Sequence, residues 1–351
     1  MEKLFEKISN ANIDALFVNK IENVRYVTNF TGEDGLAVVA PPKKYLLVDP
    51  RFTEQAQNER FDDVEVIEYR NGFIKVVESL LAKHKVHFLG VEEESINFWT
   101  YKLIDDLGFL KLVPLRDFVE EIRMVKSEEE LEKIKDACSI STKAFNETMK
   151  FLKEGITEQD IAAELEYRFR KFGGEKPSFD TIVGSGARGS LPHGVASSKV
   201  IKAHEPIVFD FGTFYKGYAS DTTRVVSIGE VEEEVRKTYE IVKEAQKIGR
   251  DAVKVGILAS DVDKKVREFF KEKGLDKYFS HGLGHGVGLE IHELPYVNGN
   301  SEHILAPNMV ITIEPGVYFE GKYGLRLEDT VIVREDGAEN LIDLPHDIIV
   351  V

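Results

Sequence analysis

The sequence predicts two domains, an α/β domain over residues 1–124 and an α+β domain over residues 125–351. The length of 351 residues, 42% of them hydrophobic, is enough for two separate cores. The first third alternates short apolar strands with amphipathic helices. The remainder resembles itself once along its length, which indicates two related halves. We place the boundary near residues 120–127.

Short segments of alternating type fill the first domain. Strand-like runs occupy 15–18, 36–40, 45–49, 64–69 and 87–91, and helical stretches occupy 2–10, 51–59, 72–84 and 95–106. No dense cluster of catalytic residue types occurs among them. We therefore expect the chemistry in the second domain.

The second domain is predicted to open with a long helix. Ser127 is followed three residues later by Glu130, the spacing of a capping box. Apolar residues at Leu131, Ile134 and Phe145 then keep a helical period that indicates one buried face.

The composition restricts the class of partner and of cofactor. A net charge of −16 argues against nucleic acid, whose binding needs clustered Lys and Arg, so we expect small molecules or peptides. The absence of a long apolar run or of a signal-like start predicts a cytoplasmic protein without membrane contact. Cys138 is the only cysteine, so a metal would need oxygen and nitrogen ligands.

An internal repeat places acids at matching points of the two halves. Gly155 and Gly256 begin similar segments 101 residues apart. The strands that follow also correspond, 207–212 with 310–316 and 218–226 with 325–333. In each half one acid lies near the end of the first strand and another near the start of the next: Asp210 and Asp221, then Glu314 and Glu328.

Two interpretations fit these acids. They are either solvent-facing residues on edge strands or ligands of cations held where the halves meet. The repeat favours the ligands, because four crowded carboxylates repel one another and need positive charge, which two divalent ions would balance. The stretch His281–Glu293, H-G-L-G-H-G-V-G-L-E-I-H-E, offers His285 as a nitrogen ligand.

These residues, with H-G-L-G-H and E-P-G-V-Y around them, resemble the metal site of the pita-bread metallopeptidases, the family of methionine aminopeptidase, aminopeptidase P and prolidase. The resemblance covers about 125–351, and the first domain resembles the N-terminal domain of the aminopeptidase P and prolidase branch. It implies a pita-bread fold with a pseudo-twofold repeat and an antiparallel sheet. It also implies an Xaa-Pro peptidase that commonly forms a homodimer.

The resemblance further implies a pair of divalent metal ions. Asp210 would bind one ion, His285 and Glu314 the other, and Asp221 and Glu328 would bridge them. A hydroxide bridging the metals would attack the peptide carbonyl. Mn or Co suits these ligands best, and Zn and Fe also fit.

By the same resemblance, other residues would handle substrate and protons. Glu314 would move the proton of the bridging water. His193 and His292 would contact the substrate and stabilise the tetrahedral intermediate, and His281 would line the proline pocket. Arg326 would orient the Glu328 carboxylate or bind nearby substrate.

The sequence also allows two interpretations from other functional classes. G-S-G-A-R-G at Gly184–Gly189 formally satisfies a dinucleotide fingerprint and allows a nucleotide-dependent oxidoreductase, although the Pro192-containing segment after it shows no helical period. A metal-free binding module of the same fold is the other, and it is disfavoured because all five ligand positions carry competent side chains.

Within the family, the choice lies between a dipeptidase and an enzyme for longer peptides. Dipeptidases of the family often carry an Arg, between the counterparts of His292 and Glu314, that binds the free carboxylate of the dipeptide. Residues 293–310 contain neither Arg nor Lys. The sequence therefore favours an aminopeptidase P-like enzyme acting on longer Xaa-Pro peptides, with Xaa-Pro dipeptidase as the alternative.

Overall fold

The computed structural model describes residues 2–351. The chain separates into two compact units, Met1–Arg123 and Met124–Val351. Among the described residues, none of the helices combines the length and the apolar character needed to cross a membrane.

The first unit is a mixed six-stranded sheet with helices around it. Its strands are β1 (Ala15–Val18), β2 (Leu36–Ala40), β3 (Lys43–Val48), β4 (Val64–Glu68), β5 (Phe88–Glu92) and β6 (Lys111–Leu115). Its helices are α1 (Glu2–Asn10), α2 (Ile21–Thr28), α3 (Thr53–Glu59), α4 (Ile74–Lys83), α5 (Phe98–Asp105) and α6 (Glu120–Arg123). The strand order is β4-β3-β2-β1-β5-β6, and only the β1–β2 and β2–β3 pairs are antiparallel.

Alternate residues along β1 pack into two different cores, because successive side chains of a strand point to opposite faces. Leu16 and Val18 belong to one apolar cluster, whereas Ala15 and Phe17 belong to the other. The sheet is therefore covered on both faces.

The second unit carries four long helices and most of the strands. The helices are α7 (Glu128–Thr148), α8 (Glu158–Lys171), α9 (Glu233–Ala252) and α10 (Ala259–Glu272). The strands are β7 (Ile182–Ser185), β8 (Ile207–Phe211), β9 (Phe214–Tyr215), β10 (Tyr218–Ala219), β11 (Thr222–Ser227), β12 (Gly284–Gly286), β13 (Glu293–Val297), β14 (Val310–Ile313), β15 (Gly316–Phe319), β16 (Tyr323–Arg326), β17 (Asp329–Arg334), β18 (Gly337–Asn340) and β19 (Ile349–Val350).

The strands form one sheet in each half of the repeat. One has the order β19-β11-β8-β7 and the other β13-β12-β14-β17-β18, and a two-stranded ribbon accompanies each. All pairs are antiparallel except β11–β19. These sheets and the first unit confirm the predicted fold class, an α/β domain followed by a duplicated α+β domain.

Helix starts in the second unit follow the sequence signals. The capping box predicted at the start of α7 is confirmed, since the Glu130 amide donates to the Ser127 hydroxyl and the Ser127 amide donates back to the Glu130 carboxylate. Thr157 and Asp160 form the same motif at α8. Both helices therefore begin at a capping box.

Candidate metal centre

Four acids lie at or beside strand ends and face a common cavity of about 390 Å³. Asp210 lies in β8 and Asp221 directly before β11, while Glu314 directly follows β14 and Glu328 directly precedes β17. His285 in β12 lines the same cavity. The structure therefore brings all five predicted metal ligands together, two acids from each half of the repeat and one imidazole.

The ligand atoms are close enough to share ions. One atom from each of Asp221, His285 and Glu328 lies within 4.8 Å of the other two. His285 Nε2 is 3.5 Å from Asp221 Oδ2 and 3.4 Å from Glu314 Oε1. Because His285 Nδ1 lies 3.0 Å from the Gly286 carbonyl and can donate to it, Nε2 can offer its lone pair towards the carboxylates.

Burial and mutual repulsion disfavour ionisation of Asp221, Glu314 and Glu328 together. Burial raises the pKa of Asp221 well above its usual value, and the neighbouring Glu328 carboxylate raises it further. The pKa of Glu328 is raised well above its usual value by the same causes, burial first and then Glu314. Burial raises the pKa of Glu314 to about 8. Such a cluster suits divalent cations, which supply the missing positive charge.

The Arg326 guanidinium binds one oxygen of the Asp210 carboxylate and leaves the other oxygen available. Arg326 Nη2 donates to Asp210 Oδ2 at 2.5 Å. Among the described residues, Asp210 Oδ1 is buried without a hydrogen-bond partner. A buried carboxylate oxygen without a partner fits a metal ligand, so the donor set is compatible with ions bound by oxygen and one nitrogen.

Arg326 reaches Glu328 only through another residue. Its Nε donates to Thr223 Oγ1 at 3.0 Å, and that hydroxyl donates to Glu328 Oε2 at 2.6 Å. The direct ion pair of Arg326 is with Asp210 rather than with Glu328. Arg326 thus supports ligands contributed by both halves.

The remaining histidines predicted for the site also line the cavity, but they lie in different surroundings. The His292 ring packs edge-on against the His285 ring, with centroids 4.2 Å apart, and burial lowers its pKa. His281 Nε2 lies 2.9 Å from the Tyr318 hydroxyl, and burial lowers the pKa of His281 to about 4. These two imidazoles are therefore neutral near pH 7. His193 lies in the loop that follows β7.

Two polar residues that matter to the geometry were not predicted from the sequence. Tyr318 accepts a hydrogen bond from Arg326 Nη1 at 2.7 Å and contacts His281, and Thr223 joins Arg326 to Glu328. Tyr318 is the tyrosine of the E-P-G-V-Y motif, so its place in that motif was an available signal. Thr223 lies among ordinary strand residues, and the sequence contains no signal that marks it.

The G-S-G-A-R-G segment does not form a dinucleotide site. Residues Gly186–Ser190 are a 3-10 helix rather than the α-helix that would receive a pyrophosphate. A Cβ at Gly189 would lie 3.1 Å from the Gly184 carbonyl oxygen and 3.2 Å from the Gly324 nitrogen. The glycine is therefore needed for close backbone packing. Because the segment after β7 is not an α-helix that could receive a pyrophosphate, the nucleotide alternative is wrong.

This fold and this cluster are those of a two-domain metallopeptidase, and comparison with known proteins agrees. Residues 132–335 match the model of metallopeptidase family M24, and residues 1–125 match the creatinase/prolidase N-terminal domain. The chain belongs to metallopeptidase family M24. It is therefore a metal-dependent hydrolase that uses divalent metal ions.

Several relatives are similar over nearly their whole length. The Xaa-Pro dipeptidase of Pyrococcus furiosus is 37% identical, with 99% of each chain covered. The solved structure of an Xaa-Pro dipeptidase from Bacillus anthracis is 35% identical, with a TM-score of 0.96 and coverage of 100% of this chain and 98% of that one. An X-Pro aminopeptidase structure from Thermotoga maritima is 42% identical, with a TM-score of 0.92 and coverage of 100% and 99%.

Proposed function

We propose that the protein hydrolyses the bond between an N-terminal residue and a following proline, with two divalent metal ions as cofactors. The observation that carries the proposal is the convergence of four acids and His285 on one cavity that is also lined by His193, His281 and His292. The relatives named for Xaa-Pro cleavage support this substrate class.

We infer the division of ligands between two ions that the family resemblance implies. Asp210 would hold one ion, His285 and Glu314 the other, and Asp221 and Glu328 would be shared. Bound divalent ions polarise a carbonyl oxygen and lower the pKa of a coordinated water. Mn or Co is the metal we expect, with Zn and Fe also compatible with oxygen ligands and a single imidazole.

The side chains around the ions would position the substrate and move protons. Thr312 Oγ1 donates to Glu314 Oε1 at 3.3 Å, which fixes that carboxylate while leaving Oε2 to accept a proton. His193 and His292 would donate hydrogen bonds to the carbonyl oxygen as it gains negative charge. His281, held against Tyr318, would line the proline pocket.

A dipeptide is the substrate best supported by the relatives, and this departs from the preference based on sequence. The relatives from Pyrococcus furiosus and Bacillus anthracis, each named Xaa-Pro dipeptidase, resemble the whole chain. The second candidate, cleavage of longer peptides, is favoured by the cavity itself. Among its described lining residues Arg326 is the only Lys or Arg, and its guanidinium is already bonded to Asp210 and Tyr318. The Thermotoga relative named X-Pro aminopeptidase also supports this second candidate.

A comparison of peptide substrates tests both the specificity for proline and the preferred peptide length. We expect the protein loaded with Mn or Co to cleave Leu-Pro and to leave Leu-Ala intact. A higher kcat/KM for Leu-Pro than for Leu-Pro-Gly supports the dipeptidase, and the reverse order supports the second candidate. Cleavage of neither proline peptide would refute the proposed function. Metal analysis of the purified protein gives the identity and number of ions, for which we expect two per chain.

Two further expectations concern the whole protein. We propose that it forms a homodimer in the cytoplasm, as the family resemblance and the composition suggest. Light scattering coupled to size-exclusion chromatography measures the oligomeric state, and we expect a mass near twice 39.7 kDa.

A further inference from the structure

We propose that Arg267 is a positioning residue that holds His281 in place for the substrate, and that Asp263 fixes Arg267 for this task. The inference rests on the proposed function, in which His281 lines the proline pocket. Neither Asp263 nor Arg267 is a candidate metal ligand.

Arg267 binds the backbone of the segment that carries His281. Its Nη2 donates to the His281 carbonyl oxygen, and its Nη1 lies 3.5 Å from the Phe279 carbonyl oxygen. The guanidinium also lies over the Phe279 ring, 4.6 Å from the centroid, and that ring packs edge-on against His281 at 5.1 Å. One guanidinium therefore restrains both the backbone of His281 and the ring that packs against its imidazole.

Asp263 orients Arg267 from the same helix and secures the segment a second time. Arg267 Nε donates to Asp263 Oδ2 at 2.7 Å, one turn apart on α10. The other oxygen, Oδ1, accepts the Leu283 amide at 3.1 Å. The Asp263 side chain is fully buried, whereas that of Arg267 is 40% exposed. The pair thus binds the chain at His281 and again at Leu283.

The restraint continues from His281 to the metal ligands. His281 Nε2 lies 2.9 Å from the Tyr318 hydroxyl, which accepts from Arg326 at 2.7 Å, and Arg326 pairs with Asp210. Because Tyr318 is shared between His281 and Arg326, a displaced His281 would also leave this hydroxyl without its imidazole partner. The position of His281 is therefore linked through Tyr318 and Arg326 to Asp210 in the cavity wall.

An arrangement of the same kind supports the loop of His193 in the other half. Glu158, also fully buried, accepts the Ser185 amide at 2.9 Å and pairs with Arg188 Nε at 2.9 Å. Arg188 Nη2 then donates to the Val195 carbonyl at 2.7 Å, two residues beyond His193. A buried acid and a partly exposed arginine thus hold each of these histidine-bearing segments.

Arg267 is also reachable from solution. It lines a surface cavity of about 620 Å³ together with Asp263, Phe279 and Lys271. Removal of its side chain would leave the Asp263 carboxylate facing a space large enough for a free guanidinium ion. Lys271 supplies a matched control, because it lines the same cavity without a hydrogen bond to the His281 segment.

A double-mutant cycle tests whether Arg267 acts through His281. We expect R267A to lower kcat/KM for Leu-Pro roughly 10- to 100-fold, as misplacement of a substrate-contacting group does, with metal content close to wild type. The Tm should fall, because the buried Asp263 carboxylate loses its cation, so all variants are assayed well below the Tm of R267A. In the H281A background the same substitution should change kcat/KM less than about twofold. K271A should leave the rate unchanged. Equal factors in both backgrounds, or an R267A effect under twofold, would overturn the proposal. If R267A fails to fold, Arg267→Lys replaces it in the same cycle.

Two further measurements separate this inference from the proposed function. Added guanidinium should restore part of the activity of R267A but not of the R267A/H281A double variant; no restoration in R267A contradicts the role of the guanidinium group. In protein with isotope-labelled histidine, the His281 ring resonance, identified by its absence in H281A, should shift in R267A and not in K271A. An unchanged resonance overturns the positioning role. This measurement is decisive even if the wild type cleaves no Xaa-Pro peptide, an outcome that would refute the proposed function alone.

Discussion

At the residue scale, the candidate metal site has four acidic side chains, but Arg326 is the only Lys or Arg among the described residues that line its cavity. Asp210 accepts a hydrogen bond from the Arg326 guanidinium, while burial raises the pKa of Asp221, Glu314 and Glu328. Each of these acids would be costly to bury without a ligand. Loss of one carboxylate should therefore affect metal binding before it affects the rest of the fold.

We predict that Asp221→Ala or Glu328→Ala removes both bound metal and activity. Each would be shared by two ions, and residues that merely support metal ligands already cost about 10- to 100-fold when lost, so we expect a loss of more than about 100-fold. Metal analysis and kcat/KM for Leu-Pro provide the measurements. The exposed acid Glu335 supplies the control variant E335A. Wild-type turnover in either ligand variant would refute the shared positions.

His193→Ala should separate catalysis from metal binding. His193 lies in the cavity wall and is not one of the five candidate ligands. Removal of one donor to a developing negative charge should lower kcat by about 100-fold while metal content stays unchanged. Steady-state kinetics and metal analysis on the same preparation test this. Loss of metal from the variant would contradict the assignment.

The sequence allowed the five candidate ligands to be predicted because they lie in short motifs, and the four acids lie at or beside strand ends. Their supporting contacts were not predictable. Arg326 reaches Asp210 across 116 positions of sequence, and Thr223 reaches Glu328 across 105. Such pairs depend on how strands of the two halves come together, which local patterns do not specify.

At the element scale, three elements of the first unit were not predicted: strand β6, helix α2 and the single-turn helix α6. Strand β6 contains Pro114, which argues against a central strand, but β6 is the edge of its sheet, where proline is tolerated. Helix α2 is short and rich in β-branched residues such as Val24 and Val27, which weaken the helical signal. Its burial against the core stabilises it instead. The other elements of this unit were predicted with ends shifted by a few residues.

Glu158 connects α8 to the His193 loop and should make stability depend on pH. Hydrogen bonds from Ser197, Ser185 and Arg188 outweigh its burial and lower its pKa below the usual 4.5. Because the folded pKa is below the unfolded one, the stabilisation is fully present above about pH 4.5 and is lost as pH falls through the folded value.

We therefore expect Glu158→Gln to lower the free energy of unfolding by about 1–3 kcal/mol at pH 7, since buried donors lose a charged acceptor. The difference from wild type should shrink when urea denaturation is repeated below pH 4.5. The exposed Glu272 provides the control E272Q. A difference that stays constant across this range would contradict the assigned ionisation of Glu158.

At the scale of the whole molecule, the candidate metal site takes ligands from both halves of the repeat. Ions bound there stabilise only the folded arrangement, because the ligands are far apart in an unfolded chain. At a metal concentration 100-fold above Kd, the gain is about 2.7 kcal/mol.

Removal of metal with EDTA should therefore lower the Tm of the catalytic unit by roughly 5–10 °C in calorimetry, and added Mn or Co should restore it. The D221A variant should show little EDTA effect, because it has lost a shared ligand. An identical EDTA effect on both proteins would place the stabilising metal elsewhere.

The two acid–arginine pairs behind the histidine loops do not correspond to each other in the internal repeat. If the pairs had been inherited from a single ancestral half, they would align at the repeat offset of 101 residues, but at that offset Glu158 meets Ala259 and Asp263 meets Ala162. The arginines differ as well, since Arg188 lies in a 3-10 helix and Arg267 in α10. The two halves therefore restrain their histidine-bearing segments from non-equivalent positions, so a substitution in one acid–arginine pair has no counterpart at the matching position of the other half.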